Sequence, residues 1–296
     1  MTTLAVVKLL FAALALVMVG LGLSLEVKDF RRLAQHRRAV GVALVLQHAA
    51  MPAAAYGLTT VFGLPAPYAI GMMLLAAAPG SISSNLYSHL FGGNVALNVS
   101  LTGINTVVSM ATLPLICGWA LVHFAGIQQG VSASVVAKLT EAMLTLITPV
   151  VLGMFIRAKF PAVAERSSKP VRVFSVIVLI AFSVGAIVKE WTSLVSGFTE
   201  VGLTVLAFNA LSLAGGYFVS RVVCGRHADA MATAFELGVR SAVLSIYVAI
   251  TTLQDTRIAI PAAVYSITMV ILGFTFGFLC RYLRRTRQVA GGMQVG

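Results

Sequence analysis

Apolar residues run along this chain in long blocks, and polar or charged residues are confined to short connections between them. A helix that crosses a bilayer needs about 20 mainly apolar residues. Measured against that length, the blocks predict nine spans, near residues 4–25, 39–62, 66–90, 94–124, 133–156, 171–190, 195–222, 231–253 and 260–282. No connection is long enough for a soluble domain. The expected fold is an all-α polytopic membrane protein, with residues 1–296 forming one integral membrane domain.

Two of the blocks are interrupted. Pro79-Gly80-Ser81-Ile82-Ser83-Ser84-Asn85 breaks the third, and Glu236-Leu237-Gly238-Val239-Arg240-Ser241 breaks the eighth. Broken backbone at membrane depth persists only where protein or a water-filled cavity satisfies the freed N–H and C=O groups. Interrupted spans in corresponding places of two halves point to the binding site of a secondary transporter. Each break lies in the span before the last of its half, which is compatible with an inverted repeat of four spans plus five.

Composition supports the bilayer. The chain is 59% hydrophobic and 10% charged, with a mean hydropathy of +0.96; soluble domains carry about 25% charged residues. The net charge of +12 would suggest nucleic acid in a soluble protein, but here it orients the spans. Lys28, Arg31, Arg32, Arg37 and Arg38 fall in one loop, Arg157, Lys159, Arg166, Lys169 and Arg172 in another. Arg221 and Arg226 follow the seventh span, and Arg281, Arg284, Arg285 and Arg287 form the tail. All lie on one side if nine spans run N-out to C-in, as the excess of cytoplasmic Lys and Arg requires. Lys189 and Arg257 alone fall in opposite-side loops, and Lys8 and Lys138 lie near outer helix ends. Leu4 to Leu25 is long enough to cross the membrane and precedes its basic residues, unlike a cleavable signal peptide. Cys117, Cys224 and Cys280 have no metal spacing and read as free thiols.

Glu236 is the most informative residue. A carboxylate in the middle of a span costs about 2.5–3.5 kcal/mol on insertion scales, so it needs a proton, a basic partner or a bound cation. The plain alternative is a structural ion pair with Arg240, four residues on. Ser84 and Asn85 follow the first break, and Asn98 and Thr102 share a helix face at i, i+4. Hydroxyl and carbonyl oxygens suit an alkali cation better than zinc or copper; singly, such residues also serve as interhelical glue. Gln47 and His48 place polar groups in the second span ahead of Met51-Pro52. Lys138 and Glu141 read as a salt bridge near the outer end of the fifth span, and Trp191, Tyr265 and Tyr282 as interfacial anchors. No ATP-binding loop, HExxH or GxSxG is present, so neither a pump nor an enzyme is indicated.

Several of these residues together resemble the bile acid:sodium symporter family. They are the run from Pro79 to Asn85, Gly93-Asn94-Val95-Ala96-Leu97-Asn98 with Thr102, Gln47 with Met51-Pro52, Phe208-Asn209, and Glu236-Leu237-Gly238. Gly20-Leu21-Gly22-Leu23-Ser24-Leu25 and Asp29-Phe30 resemble the end of the second helix of ten-helix bacterial members. The resemblance implies a nine-helix member lacking that first helix. It implies a core domain (spans about 39–124 and 195–282) against a panel domain (spans about 4–25 and 133–190), with two broken helices crossing in the core. It implies two sodium positions, the first built from Ser84, Asn85, Asn98, Thr102 and Glu236. The second would use Gln47, Glu236, the carbonyls of Leu237 and Val239, and residue 240.

At that last position the chain departs from the family. Members usually read Glu-x-Gly-x-Gln-Asn, whereas this chain has Arg240 and Ser241. A guanidinium has no lone pair for a metal and carries permanent charge. Arg240 either pairs with Glu236 and blocks the second cation position, or faces the cavity and clamps a substrate carboxylate or sulfonate. Arg240, Asn209 and His48 are the candidate substrate contacts. The expected function is sodium-coupled carriage of a small organic anion, bile-acid-like, keto-acid or pantoate-like, in a bacterial inner membrane. Sodium is the coupling ion, and no other cofactor, nucleic acid or obligate protein partner is expected. The alternatives are a sodium-independent carrier or exporter of the same fold, and a non-transporting membrane sensor.

Overall fold

In the computed structural model, the described residues are 36–126, 133–162 and 191–292, with a few positions between 15 and 23 and between 164 and 170. The spans expected at 4–25 and 171–190 fall mostly or wholly outside them. So do Lys28, Arg31, Arg32, Lys189, the 20–25 and 29–30 stretches in most positions, and the side chains of Lys138 and Trp191.

Every regular element among the described residues is helical, in the order α1 (Arg37–Val61), α2 (Ala66–Ala77), α3 (Ser83–Phe91), α4 (Val95–Ala125), α5 (Ala133–Lys159), α6 (Trp191–Cys224), α7 (His227–Gly238), α8 (Ala242–Thr252) and α9 (Thr256–Gly292). Helix α1, α4, the Gly197–Cys224 part of α6 and the Thr256–Arg284 part of α9 are long and apolar enough to cross a membrane. Helices α2 and α8 are apolar but shorter. They are halves of the two interrupted spans: α2 pairs in sequence with α3, and α7 with α8.

Local sequence explains the interruptions. Pro79 has no N–H and disfavours helix at the residue before it, and Ala78 is extended at φ −66°, ψ 141°. Val239, at φ −119° and ψ 81°, ends α7 after Gly238. In α1 a proline is accommodated instead. The turn Leu46–Ala50 widens to a π-helix just before Pro52, which absorbs the mismatch that a proline ring imposes. That wide turn carries Gln47 and His48.

Packing puts the interrupted spans at the centre. Every residue of α2 from Ala69 to Ala77 is buried, as is every residue of α7 from Asp229 to Gly238. A helix apolar on all sides belongs in an interior. Helix α6 lies along α7 and α9, and α2 lies along α4 and α9. Gly216 of α6 brings its backbone against Ala234 of α7, where a Cβ would sit 2.9 Å from the Ala234 Cα. The outer surface is apolar too: Val61, Leu115, Leu203, Phe218, Val222 and Phe278 are exposed, which suits lipid rather than water.

At the end where α3 turns into α4, buried Asp229 joins three elements. Asn94 Nδ2 donates to Asp229 Oδ1 at 2.8 Å, and His36 Nδ1 lies 3.4 Å from Oδ2. Asn94 also caps α4 by accepting from the Leu97 N–H. At the opposite end of α8, the Arg257 guanidinium donates to both Asp255 oxygens and holds that carboxyl below the ordinary carboxylate range.

Candidate functional site

The two breaks meet face to face. The Ser81 N–H donates to the Val239 carbonyl at 2.8 Å, and the Ser241 N–H donates to the Pro79 carbonyl at 3.0 Å. These bonds close one antiparallel bridge between Gly80 and Arg240. Backbone groups freed by breaking one span are thereby satisfied by the other, as burial in an apolar core demands. Gly80 is required at the contact because a Cβ there would overlap the Glu236 carboxylate.

Glu236, on the last turn of α7, is fully buried. Its partners are neutral. The Thr102 hydroxyl lies 2.7 Å from Oε2, the Ser84 hydroxyl 3.2 Å from Oε2, and Asn105 Nδ2 donates to Oε1 at 2.9 Å. The two hydroxyls are oversubscribed. Thr102 Oγ1 is also 3.0 Å from the Asn98 carbonyl, and Ser84 Oγ is 3.4 Å from Asn98 Oδ1. A hydroxyl has one proton to donate, so each faces two acceptors. Asn98 spends its own amide on Ser88 Oγ at 2.7 Å. The result is a knot of oxygens from α3, α4 and α7 around one carboxylate, with fewer protons than acceptors. Chemically, such a knot suits a hard cation. Among the described residues no three His, Cys, Asp or Glu side chains cluster as a metal group.

Ser84, Asn98, Thr102 and Glu236, predicted together, are brought together. Asn85 is adjacent in sequence, but its Oδ1 is buried without a hydrogen-bond partner rather than bonded into the knot. Asn105 was not foreseen. It completes a polar seam along α4, Asn98, Thr102, Asn105, Ser109 and Thr112, whose spacing of three and four keeps one helix face. Ser109 Oγ donates to the Ala77 carbonyl at 3.3 Å and Thr112 Oγ1 lies 3.0 Å from His48 Nδ1. Continuing the i, i+4 pair of Asn98 and Thr102 by one more turn would have found Asn105 in the sequence.

The expected direct contact between Glu236 and Arg240 is not formed. Spacing of i, i+4 aligns side chains only on a continuous helix, and this one ends at Gly238. Arg240, fully buried, instead sends Nη1 to the carbonyls of Ala76 at 2.7 Å and Ala78 at 3.1 Å. Its guanidinium sits over the Phe208 ring, 5.3 Å from the centroid. Gln47 reaches the same place, with Nε2 donating to the Ala78 carbonyl at 2.8 Å. Asn209 Nδ2 and the Tyr265 hydroxyl both donate to the Gly238 carbonyl, at 2.9 and 2.8 Å. Tyr265 is therefore no interfacial anchor: it is fully buried and satisfies a carbonyl that the break sets free. Tyr282 is exposed. The Val239 carbonyl accepts the Ser81 N–H, and Leu237 is buried. His48 is half-buried and bonded to Thr112. Glu141 lies on an exposed face of α5, and the three cysteines are free.

Long apolar helices around two facing breaks, with one acid enclosed between them, define a multi-pass integral membrane protein of the secondary-transporter class. The chain belongs to the Sodium Bile acid symporter family, whose profile matches residues 11–218. It is 27% identical over 263 residues to the probable chloroplastic sodium/metabolite cotransporter BASS1 of Arabidopsis thaliana, covering 88% of this chain and 63% of that protein. It is 24% identical to the uncharacterized sodium-dependent transporter YocS of Bacillus subtilis, covering 86% of this chain and 77% of the relative. To the ileal sodium/bile acid cotransporter of Oryctolagus cuniculus it is 23% identical, covering 71% of this chain and 59% of the relative. The chain thus spans less than two thirds of the plant and rabbit proteins. All three relatives are named as transporters or cotransporters.

Proposed function

We propose that this chain is a sodium-coupled symporter of a small organic anion, and that the coupling ion binds at Glu236 with oxygens from Ser84, Asn98 and Thr102. The observation that carries the reading is the fully buried Glu236 carboxylate, held only by neutral groups at the meeting of two helix breaks. A charge in that position gains from a counter-ion, and the surplus of acceptors supplies one with ligands. Asn105 fixes the carboxylate from the side away from Ser84 and Thr102, and Asn85 completes the shell when the break adjusts around the ion. The sodium-dependent names of the relatives from Arabidopsis and Bacillus point the same way.

The loop charges support a wider architecture of nine spans, N-out and C-in, and the membrane we propose for it is a bacterial inner membrane. Spans about 39–124 and 195–282 form a core that rocks against a panel of spans about 4–25 and 133–190, exposing the bridged breaks to each side in turn. The anion binds between them, within reach of His48 and Asn209 when the core opens. Its class is that of bile acids, keto acids or pantoate. Arg240 favours a second reading, a sodium-independent carrier, because a fixed cation already lies at the breaks.

Uptake into membrane vesicles separates the two. A bile acid, a keto acid and pantoate are offered with an inward sodium gradient and, in parallel, with potassium. The symporter accumulates at least one of them only with sodium, and Glu236→Gln abolishes accumulation. Equal accumulation in both salts removes sodium coupling.

A further inference from the structure

We propose that Arg240 is a resident, non-exchanging cation that restricts this protein to one bound sodium ion. The inference rests on the Glu236 site proposed above and concerns a different place, the carbonyl end of α2. Half-helix C-termini and unwound carbonyls are where broken-helix carriers hold cations, because the helix dipole leaves partial negative charge there. In this chain two carbonyls at the end of α2, those of Ala76 and of the C-cap Ala78, both accept from Arg240 Nη1. The guanidinium thus does at that terminus what a bound ion would do, and it cannot leave. It is fully buried, packed on Phe208, and its own backbone is clamped by the Gly80 bridge.

The surrounding atoms mark the place as a cation position rather than ordinary core. Gln47 Oε1 and Asn209 Oδ1, both fully buried, have no hydrogen-bond donor, and Arg240 Nε and Nη2 have no acceptor, so the guanidinium is held at this place through Nη1 alone. Gln47 already spends its amide on the Ala78 carbonyl, beside Nη1. Asn209 spends its own on the Gly238 carbonyl, the terminus of the other half-helix. Buried acceptors left without donors are rare in native folds, and here two side chains that donate to the two half-helix ends each leave an oxygen over.

Charge balance sets the limit of one. Glu236 and Arg240 are both fully buried at the bridged breaks, and together they carry no net charge. One sodium ion at Glu236 brings the breaks to a single positive charge. A second would leave two uncompensated charges in a low-dielectric interior, where even one is costly. Replacing the guanidinium by a neutral amide removes the built-in charge, frees the Ala76 carbonyl and leaves the Ala78 carbonyl with Gln47 as its side-chain donor. A second sodium ion then takes its place.

The test counts radioactive sodium bound at saturation by the purified full chain in nanodiscs, alongside its Hill coefficient. The wild type binds one ion per chain with a coefficient of 1. Arg240→Lys keeps the charge and still binds one, whereas Arg240→Gln binds two with a coefficient above 1. Two ions on the wild type overturn the proposal, as does a folded Arg240→Gln protein that still binds one. If Arg240→Gln does not fold, the wild-type and Arg240→Lys counts decide, and two ions on either overturn it. No sodium bound by the wild type removes the Glu236 site itself, and the role of Arg240 then stands if Arg240→Gln binds an ion and falls if it binds none.

Discussion

Thr102 and Asn105 divide the work of holding Glu236. Thr102 faces Oε2 with a hydroxyl whose oxygen is free to turn toward a cation, while Asn105 offers Oε1 only an amide N–H. Their substitutions should therefore separate. Thr102→Val removes a ligand and weakens sodium binding about tenfold, the value of one hydrogen-bond-scale contact of roughly 1.4 kcal/mol. Asn105→Ala leaves the ligands in place but unpins the carboxylate, costing about 1–3 kcal/mol of stability through an unsatisfied buried acceptor with a smaller loss of affinity. Sodium titrations monitored by thermal unfolding read both quantities from one experiment. Equal effects of the two substitutions on affinity would contradict this division of roles. These roles were partly legible beforehand. Glu236, Ser84, Asn98 and Thr102 stood out because polar oxygens are rare in apolar spans. Asn105 lies one turn beyond the Asn98 and Thr102 pair on the same face of α4, so the spacing that marks the pair marks it too. The direction of Arg240 was not legible, since a four-residue spacing says nothing once the helix between has ended.

At the level of elements, the Gly80–Arg240 bridge is the joint on which the site depends. It ties the segment between α2 and α3 to the segment between α7 and α8 through two backbone hydrogen bonds. Glycine is needed there for space, because the carboxylate of Glu236 occupies the volume that a methyl group would fill. Gly80→Ala should therefore destabilise the protein by about 1–3 kcal/mol, the ordinary cost of overpacking, and also abolish the sodium response. Gly41→Ala, on an exposed part of α1 with open space at its Cβ, should do neither. Circular dichroism melts of both variants with and without sodium check this, and an unimpaired Gly80→Ala protein would contradict the packing account. Proline and glycine clusters made the breaks readable from sequence. That the breaks would bond to each other was not readable, because a backbone bridge leaves no residue signature beyond the glycine. The π-turn at Gln47 and His48 was likewise invisible, although Pro52 marks where it must end.

Among the described residues the molecule is a set of apolar helices that turns greasy surface outward and buries Glu236 and Arg240 at the breaks, with Asp229 buried at the α3–α4 end. Hydropathy alone anticipated the helices α1, α4, α6 and α9 and both interrupted spans, since period and length suffice for elements that lipid surrounds. The central claim is that a mobile monovalent cation binds at the Glu236 carboxylate. It is tested most directly by the thermal unfolding midpoint of the purified protein in sodium and in potassium at equal ionic strength. A ligand of the native state at 100 times its dissociation constant stabilises by about 2.7 kcal/mol, so the account predicts a midpoint several degrees higher in sodium, absent in Glu236→Gln. An identical midpoint in the two salts, or a sodium shift that survives Glu236→Gln, would contradict it.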